Sequence, residues 1–160
     1  MSKITFVACA SAAWIAASSG PGMAAGKIFY GSRAGMQVTV VSMSGLDTAR
    51  AVIRTKHTRE DAIAFCRDYV QKVTPKCIKE ELETRLNDEI SADCVRGTFV
   101  DFYGNRYRFA GPNRNPDVDA KYRIISLPSG EVANGSSASG YPVNIDIFRA
   151  LCPSRASGTE

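Results

Sequence analysis

Four cysteines, Cys66, Cys77, Cys94 and Cys152, stand behind an N-terminal stretch that carries a fifth, Cys9. The fate of that stretch decides what the other four can do. MSKITFVACASAAWIAASSGPGMAAG has one early lysine, Lys3, an apolar run from Ile4 to Ala17, a helix-breaking Gly20-Pro21-Gly22, and small residues after it. That is the layout of a secretory signal peptide, cut after Ala24 with Gly22 and Ala24 at the two positions that must be small, or else after Ala25. The apolar run falls short of the roughly 20 residues that a membrane-spanning helix needs. Export over residues 1–24 removes Cys9 and leaves an even number of cysteines in an oxidising compartment, which reads as two disulfides. Of the three connectivities open to four cysteines, we expect Cys66–Cys77 with Cys94–Cys152. The first closes a helical hairpin locally and the second pins the C-terminal segment to a strand. Loop-closure entropy makes them worth about 3 and about 4 kcal/mol. A zinc site is the weaker reading, because the chain has one histidine and no CxxC pair.

The 136 residues left after cleavage are one domain's worth of chain. Loss of Lys3 takes the net charge from +4 to +3, well short of a dedicated polyanion binder, so nucleic acid is not an expected partner. Residues 26–36 read as an irregular glycine-rich lead-in. QVTVVSM (37–43) is β-branched and ends at a Ser44-Gly45-Leu46-Asp47 turn. TARAVIRTKH (48–57) alternates, with Ala51, Ile53 and Thr55 inward and Arg50, Arg54 and Lys56 on a basic outer face. Thr58-Arg59-Glu60-Asp61 is a capping box. Apolar spacing from Ile63 and Cys66 onward predicts a helix over 58–72, and Thr74-Pro75 restarts one over 75–89. Lys79–Glu83 and Glu81–Arg85 are expected as i,i+4 pairs on its outer face. In CVRGTFVDFYGNRYRFAG (94–111), a two-residue Gly104-Asn105 turn pairs Phe102 with Tyr107, Asp101 with Arg108 and Val100 with Phe109. That register puts Val100, Phe102, Tyr107 and Phe109 in the core and Tyr103, Arg106 and Arg108 outside. KYRIISL (121–127) is a strand, and PVNIDIFRALC (142–152) is a helix started by Ser139 or Tyr141. The expected fold is a single α+β domain over residues 25–152. Two hairpins plus one strand form its antiparallel sheet, packed against a helical hairpin and a C-terminal helix. Residues 153–160 are expected to be a disordered tail.

Chemical motifs are sparse. The chain has no Walker loop, GxGxxG, HExxH or CxxC. ANGSSASGYP (133–142) lacks the spacing of a G-x-S-x-G nucleophile elbow. Asn134-Gly135-Ser136 is a glycosylation sequon, relevant only in a eukaryotic secretory pathway. His57 next to the helix cap reads as a packing or capping residue, and as a general base only if Ser137 or Ser139 lies beside it. Asp117 and Asp119 sit in a loop and Glu80, Glu81 and Glu83 on a charged helix face, none in the apolar surroundings that raise a carboxyl pKa. Asn113, Asn115, Asp117 and Asp119 alternate as calcium ligands do, without the glycine and closing glutamate of such a loop. Arg96-Gly97-Thr98-Phe99-Val100-Asp101-Phe102 approaches an RNA-recognition strand with a residue missing. No catalytic residue, metal or cofactor is expected. The candidate contact residues are Arg50, Arg54 and Lys56 on the basic strand, Tyr103, Arg106 and Arg108 on the hairpin, and Ser137 and Ser139 in the loop. Arginine and tyrosine are the types enriched at contact hot spots.

The leader, the Phe65-Cys66…Tyr69…Cys77 helical pair, the DCVRGTFVDFYGNRYRFAG hairpin and the GSSASGY…IFRALCP ending together resemble small exported proteins of alphaproteobacterial type with no assigned activity. The resemblance covers most of the mature chain, implies a periplasmic location and supplies no functional residues. A second similarity is to bacterial periplasmic lysozyme inhibitors, whose Ser-Gly-rich S-G-x-x-Y-type loop occupies the lysozyme cleft. Ser137-Ala138-Ser139-Gly140-Tyr141 is similar to that loop. Those inhibitors are mainly β-barrels, and the two helices expected here depart from them. The expected function is therefore a non-enzymatic periplasmic or secreted binding protein whose partner is an envelope protein or glycan. The alternatives are a lysozyme-inhibitor-like protein and a small hydrolase using His57 with a loop serine.

Overall fold

A computed structural model describes residues 26–115 and 120–156. The segment expected to be a signal peptide, Asp117 and Asp119, and the last four residues of the tail lie outside the described residues. Seven strands form one antiparallel sheet in chain order: β1 (Lys27–Phe29), β2 (Gln37–Ser44), β3 (Ala51–Lys56), β4 (Glu89–Asp93), β5 (Thr98–Val100), β6 (Arg106–Pro112) and β7 (Tyr122–Ser126). Two helices, α1 (Arg59–Asp68) and α2 (Pro75–Leu82), interrupt the strand order, and α3 (Tyr141–Leu151) follows it. α3 packs against both edge strands, β1 and β7, and against β3 and β4 between them. One helix touches both edges of a seven-stranded sheet only if the sheet curls around it. The core sits in that curl: Phe148 of α3 stacks on Phe109 at 4.4 Å and meets Phe99 at 5.4 Å. A side chain of this size, fully buried, stabilises the fold by roughly 1.5–3 kcal/mol.

Both disulfides form with the expected pairing. Cys66–Cys77 closes the α1–α2 hairpin across 11 residues, and Cys94–Cys152 ties the end of α3 to the chain beyond β4 across 58. The hairpin has a small core of its own, Ala62, Cys66 and Ile78, so the first bridge substitutes for apolar area that two short helices cannot bury. The capping box is present: the Thr58 hydroxyl accepts from the Asp61 amide, and the Asp61 carboxylate accepts from the Thr58 amide. Asp61 also accepts from Lys27 Nζ at 2.6 Å and from the Thr39 hydroxyl at 2.9 Å, which docks α1 on β1 and β2.

Several expectations need correction. The lead-in contains a strand, β1, that pairs through Ile28↔Val38. The helices are shorter than expected, ending at Asp68 and Leu82, and Glu89–Asp93 is a strand paired with β3. The β5–β6 register is Val100↔Arg106 and Phe99↔Tyr107, three residues away from the two-residue turn. An odd shift exchanges the faces, so Phe99 is buried and Val100 is not. Asp101 is the cause. Instead of pairing with Arg108 it is buried, and its Oδ1 accepts from the Tyr103 and Asn105 amides while Oδ2 accepts from Asn105 Nδ2. The carboxylate thus replaces the ladder across residues 101–105 with a side-chain-held turn. α3 starts at Gly140, at φ +70°, with no side-chain cap; Ser139 turns its hydroxyl to the Ser136 carbonyl, and the Tyr141 hydroxyl accepts from the Tyr122 amide. Residues 153–156 are tied down: the Ser154 amide and hydroxyl donate to Asp47, Arg155 donates to the Cys94 carbonyl, and Ala156 is buried.

Candidate functional site

Two clefts lie on either side of a buried wall made of Tyr30, His57 and Glu81. The Tyr30 and His57 rings meet edge to face at 5.5 Å, the Tyr30 hydroxyl donates to Glu81 Oε1, and His57 Nε2 is 3.8 Å from that oxygen. Glu81 faces inward because α2 ends at Leu82: its residue lies three after Ile78, on the buried stripe, and the outward pair with Arg85 does not exist. Burial raises the Glu81 pKa above the ordinary carboxyl value, so this acid, and not Glu80 or Glu83, sits in the apolar setting that the sequence concealed. Both His57 ring nitrogens are buried without a hydrogen-bond partner among the described residues. Burial lowers the His57 pKa, against the pull of the Asp61 charge, and leaves the ring neutral at pH 7. His57 is a packed wall residue.

The cleft on the His57 side has a volume of about 550 Å³ and runs between β2–β3 and the segment after α2. Arg54 and Lys56 of the basic strand line it, as do Val41 and Leu82. Val41 stands out, 65% exposed, because a β-bulge between Val40 and Ser42 takes it out of register with β3. The positive character is diluted, since Arg54 pairs with Glu89 at 3.5 Å and Asp88 lies in the same wall. Arg50 sits in the turn before β3, outside this lining.

The cleft on the Tyr30 side, about 300 Å³, gathers Tyr30, Tyr103, Tyr107, Arg33, Asn105 and Asn144 from three separate stretches of chain. Ala138 and Gly140 of the serine loop complete its rim. A neighbouring cavity of about 240 Å³ shares Tyr107 and Ala138 with it and contains Ser139, so the two adjoin along β6. Tyr107 carries the polar floor. Asp101, Asn105 and Asn144 stand around it in the same lining. Burial and then the Asp101 charge raise the Tyr107 pKa; burial, Asp101 and Glu81 do the same for Tyr103. Both phenols stay protonated through the physiological range. Tyr103 is half exposed, its ring centre 6.5 Å from that of Tyr30. The serine loop is pressed onto the sheet: Gly135 holds φ +91°, and a Cβ there would come within 2.9 Å of the Ala120 amide. Its 3-10 turn spans Ser137–Ser139, and the Ser137 side chain lies outside the described residues.

The sequence-derived candidates therefore separate. Tyr103 and the serine loop come together in one place, and Arg54 and Lys56 in another. Arg106 and Arg108 alternate with Tyr107 along β6 and belong to the opposite face; Arg106 lines a shallow recess beside Ser91 and Asp93. His57 and Ser139 line different clefts. Tyr30, Tyr107, Asn144 and Glu81 were missed. Among the described residues no group of three His, Cys, Asp or Glu side chains is placed to hold a metal, and no helix is long and apolar enough to cross a membrane. No family model, curated protein or solved structure matches the chain.

Proposed function

We propose that this chain is a non-enzymatic binding protein of the bacterial envelope, exported to the periplasm or beyond, whose partner is an envelope protein or glycan. The partner is held in the tyrosine-lined cleft beside the serine turn. One observation carries this reading: Tyr103, half exposed, shares one cleft with Tyr107, Asn105 and Asn144, on a turn that the buried Asp101 carboxylate holds in place. A concave site with aromatic walls and a few preset polar groups is the usual form of a ligand pocket, and a rigid aromatic loses little entropy on binding. The two disulfides and the leader's layout support export. No observation favours a hydrolase, since His57 stands on the far side of the Tyr30 wall from the loop serines.

Co-sedimentation of the mature chain with washed envelope particles tests the reading. Wild type should bind saturably, Tyr103→Ala should weaken binding roughly tenfold, and Val73→Ala, an exposed residue outside the cleft, should not. Equal binding by all three would reject the cleft as the contact surface.

A further inference from the structure

We infer that the ligand of the tyrosine cleft is a saccharide: a run of pyranose rings laid along β6, with one ring at Tyr103 and the next over Tyr107. This rests on the binding-protein reading above and names the chemistry of its ligand. Three features of the cleft select that class.

The first is shape. Two adjoining cavities of about 300 and 240 Å³, joined at Tyr107 and Ala138, form a short track suited to successive ring-sized units. The second is the combination of aromatic faces with neutral polar groups. A pyranose presents C–H bonds on its faces and hydroxyls around its edge. An aromatic ring with a negative π face receives the first, and planar amides that both donate and accept receive the second. Tyr103 and Tyr107 supply the rings, with Tyr30 buried behind Tyr103, and Asn105 and Asn144 supply the amides. Asn144 is buried in that lining and brings a planar amide to it. The third is charge. Of the two acids in the linings, Asp101 spends both oxygens on the 101–105 turn and Glu131 is exposed at the second cavity, while the one cation, Arg33, lies over the Tyr69 ring at 4.9 Å. A site without a concentrated charge of either sign does not select a polyanion or an acidic peptide. Nor does its lining offer the continuous apolar patch of a protein-binding surface.

The test titrates the disulfide-bonded mature chain, residues 25–160, with chitotriose, maltotriose and soluble peptidoglycan fragments, read by NMR shifts of the tyrosine rings. The mature chain contains six tyrosines and, with Trp14 in the leader, no tryptophan, so tyrosine fluorescence gives a second readout. At least one saccharide should bind saturably; Tyr103→Ala should weaken it roughly tenfold, and Tyr107→Phe, which removes only the floor hydroxyl, by a smaller factor. Val73→Ala, exposed and outside both cavities, should leave binding unchanged. If no saccharide binds while Tyr103-dependent binding to envelope particles survives digestion of their glycans, the saccharide class is overturned and the binding-protein reading stands. If Tyr103-dependent binding is absent in both assays, both fall.

Discussion

Single buried carboxylates set much of this structure. Asp101 fixes the β5–β6 turn and thereby the position of Tyr103, while Asp61 ties α1 to the first two strands. Burial alone would raise the Asp61 pKa, but the Lys27 ammonium and the hydrogen bonds from Thr58 and Thr39 outweigh it and hold the carboxyl below its usual 3.8. A carboxyl depressed on folding contributes stability that is complete above its unfolded pKa and is lost as pH falls through the folded one. Asp61→Asn should therefore cost about 2 kcal/mol at pH 7, where the charge-assisted bonds are intact. In urea unfolding, the gap between wild type and variant should close as pH drops below 3.8. A gap that stays constant to pH 2 would show that the charge is not what Asp61 contributes. The residue scale is also where sequence reading lost the most. Asp101-Phe102-Tyr103-Gly104 carries aspartate at the first and glycine at the fourth place of a type I turn, and the Gly104 amide does donate to the Asp101 carbonyl at 3.1 Å. That signal competes with the Gly-Asn dipeptide, and only the buried site for Asp101 decides between them.

At the scale of elements, what could be read was what repeats or caps. The alternation of β3, the Thr58–Asp61 capping box, the proline opening α2 and the apolar stripe of α3 are each local patterns, and each gives its element. β1, three residues long, and β4, five, are too short to show a period and exist because a neighbour supplies the ladder. Leu86 kept the α2 pattern alive in sequence although the helix stops at Leu82. Burial of Glu81 could not be read because its face of α2 is defined by Tyr30, 51 residues away. The two disulfides act on different elements and should fail differently. Loss of Cys66–Cys77 by paired Cys→Ser substitution should cost about 3 kcal/mol and speed amide exchange mainly in α1 and α2. Loss of Cys94–Cys152 should cost about 4 kcal/mol and release α3, exposing the whole core. Equal, global loss of protection in both variants would contradict this division.

For the molecule as a whole, the fold class and the disulfide pairing were within reach of the sequence. Which residues share a cleft was not, because Tyr30, Tyr103, Tyr107 and Asn144 meet only after the sheet has curled around α3. Two of the molecule's clefts have one wall in common. The basic one contains Arg54 and Lys56, and the tyrosine one contains Tyr103. The binding account requires the second to be the contact surface. Placing a photo-reactive benzoylphenylalanine at position 103 or at position 54, and irradiating cells that produce each chain, compares the two surfaces directly. The account predicts a discrete high-mass adduct from position 103 and none from position 54. An adduct from position 54 with none from position 103 would contradict it.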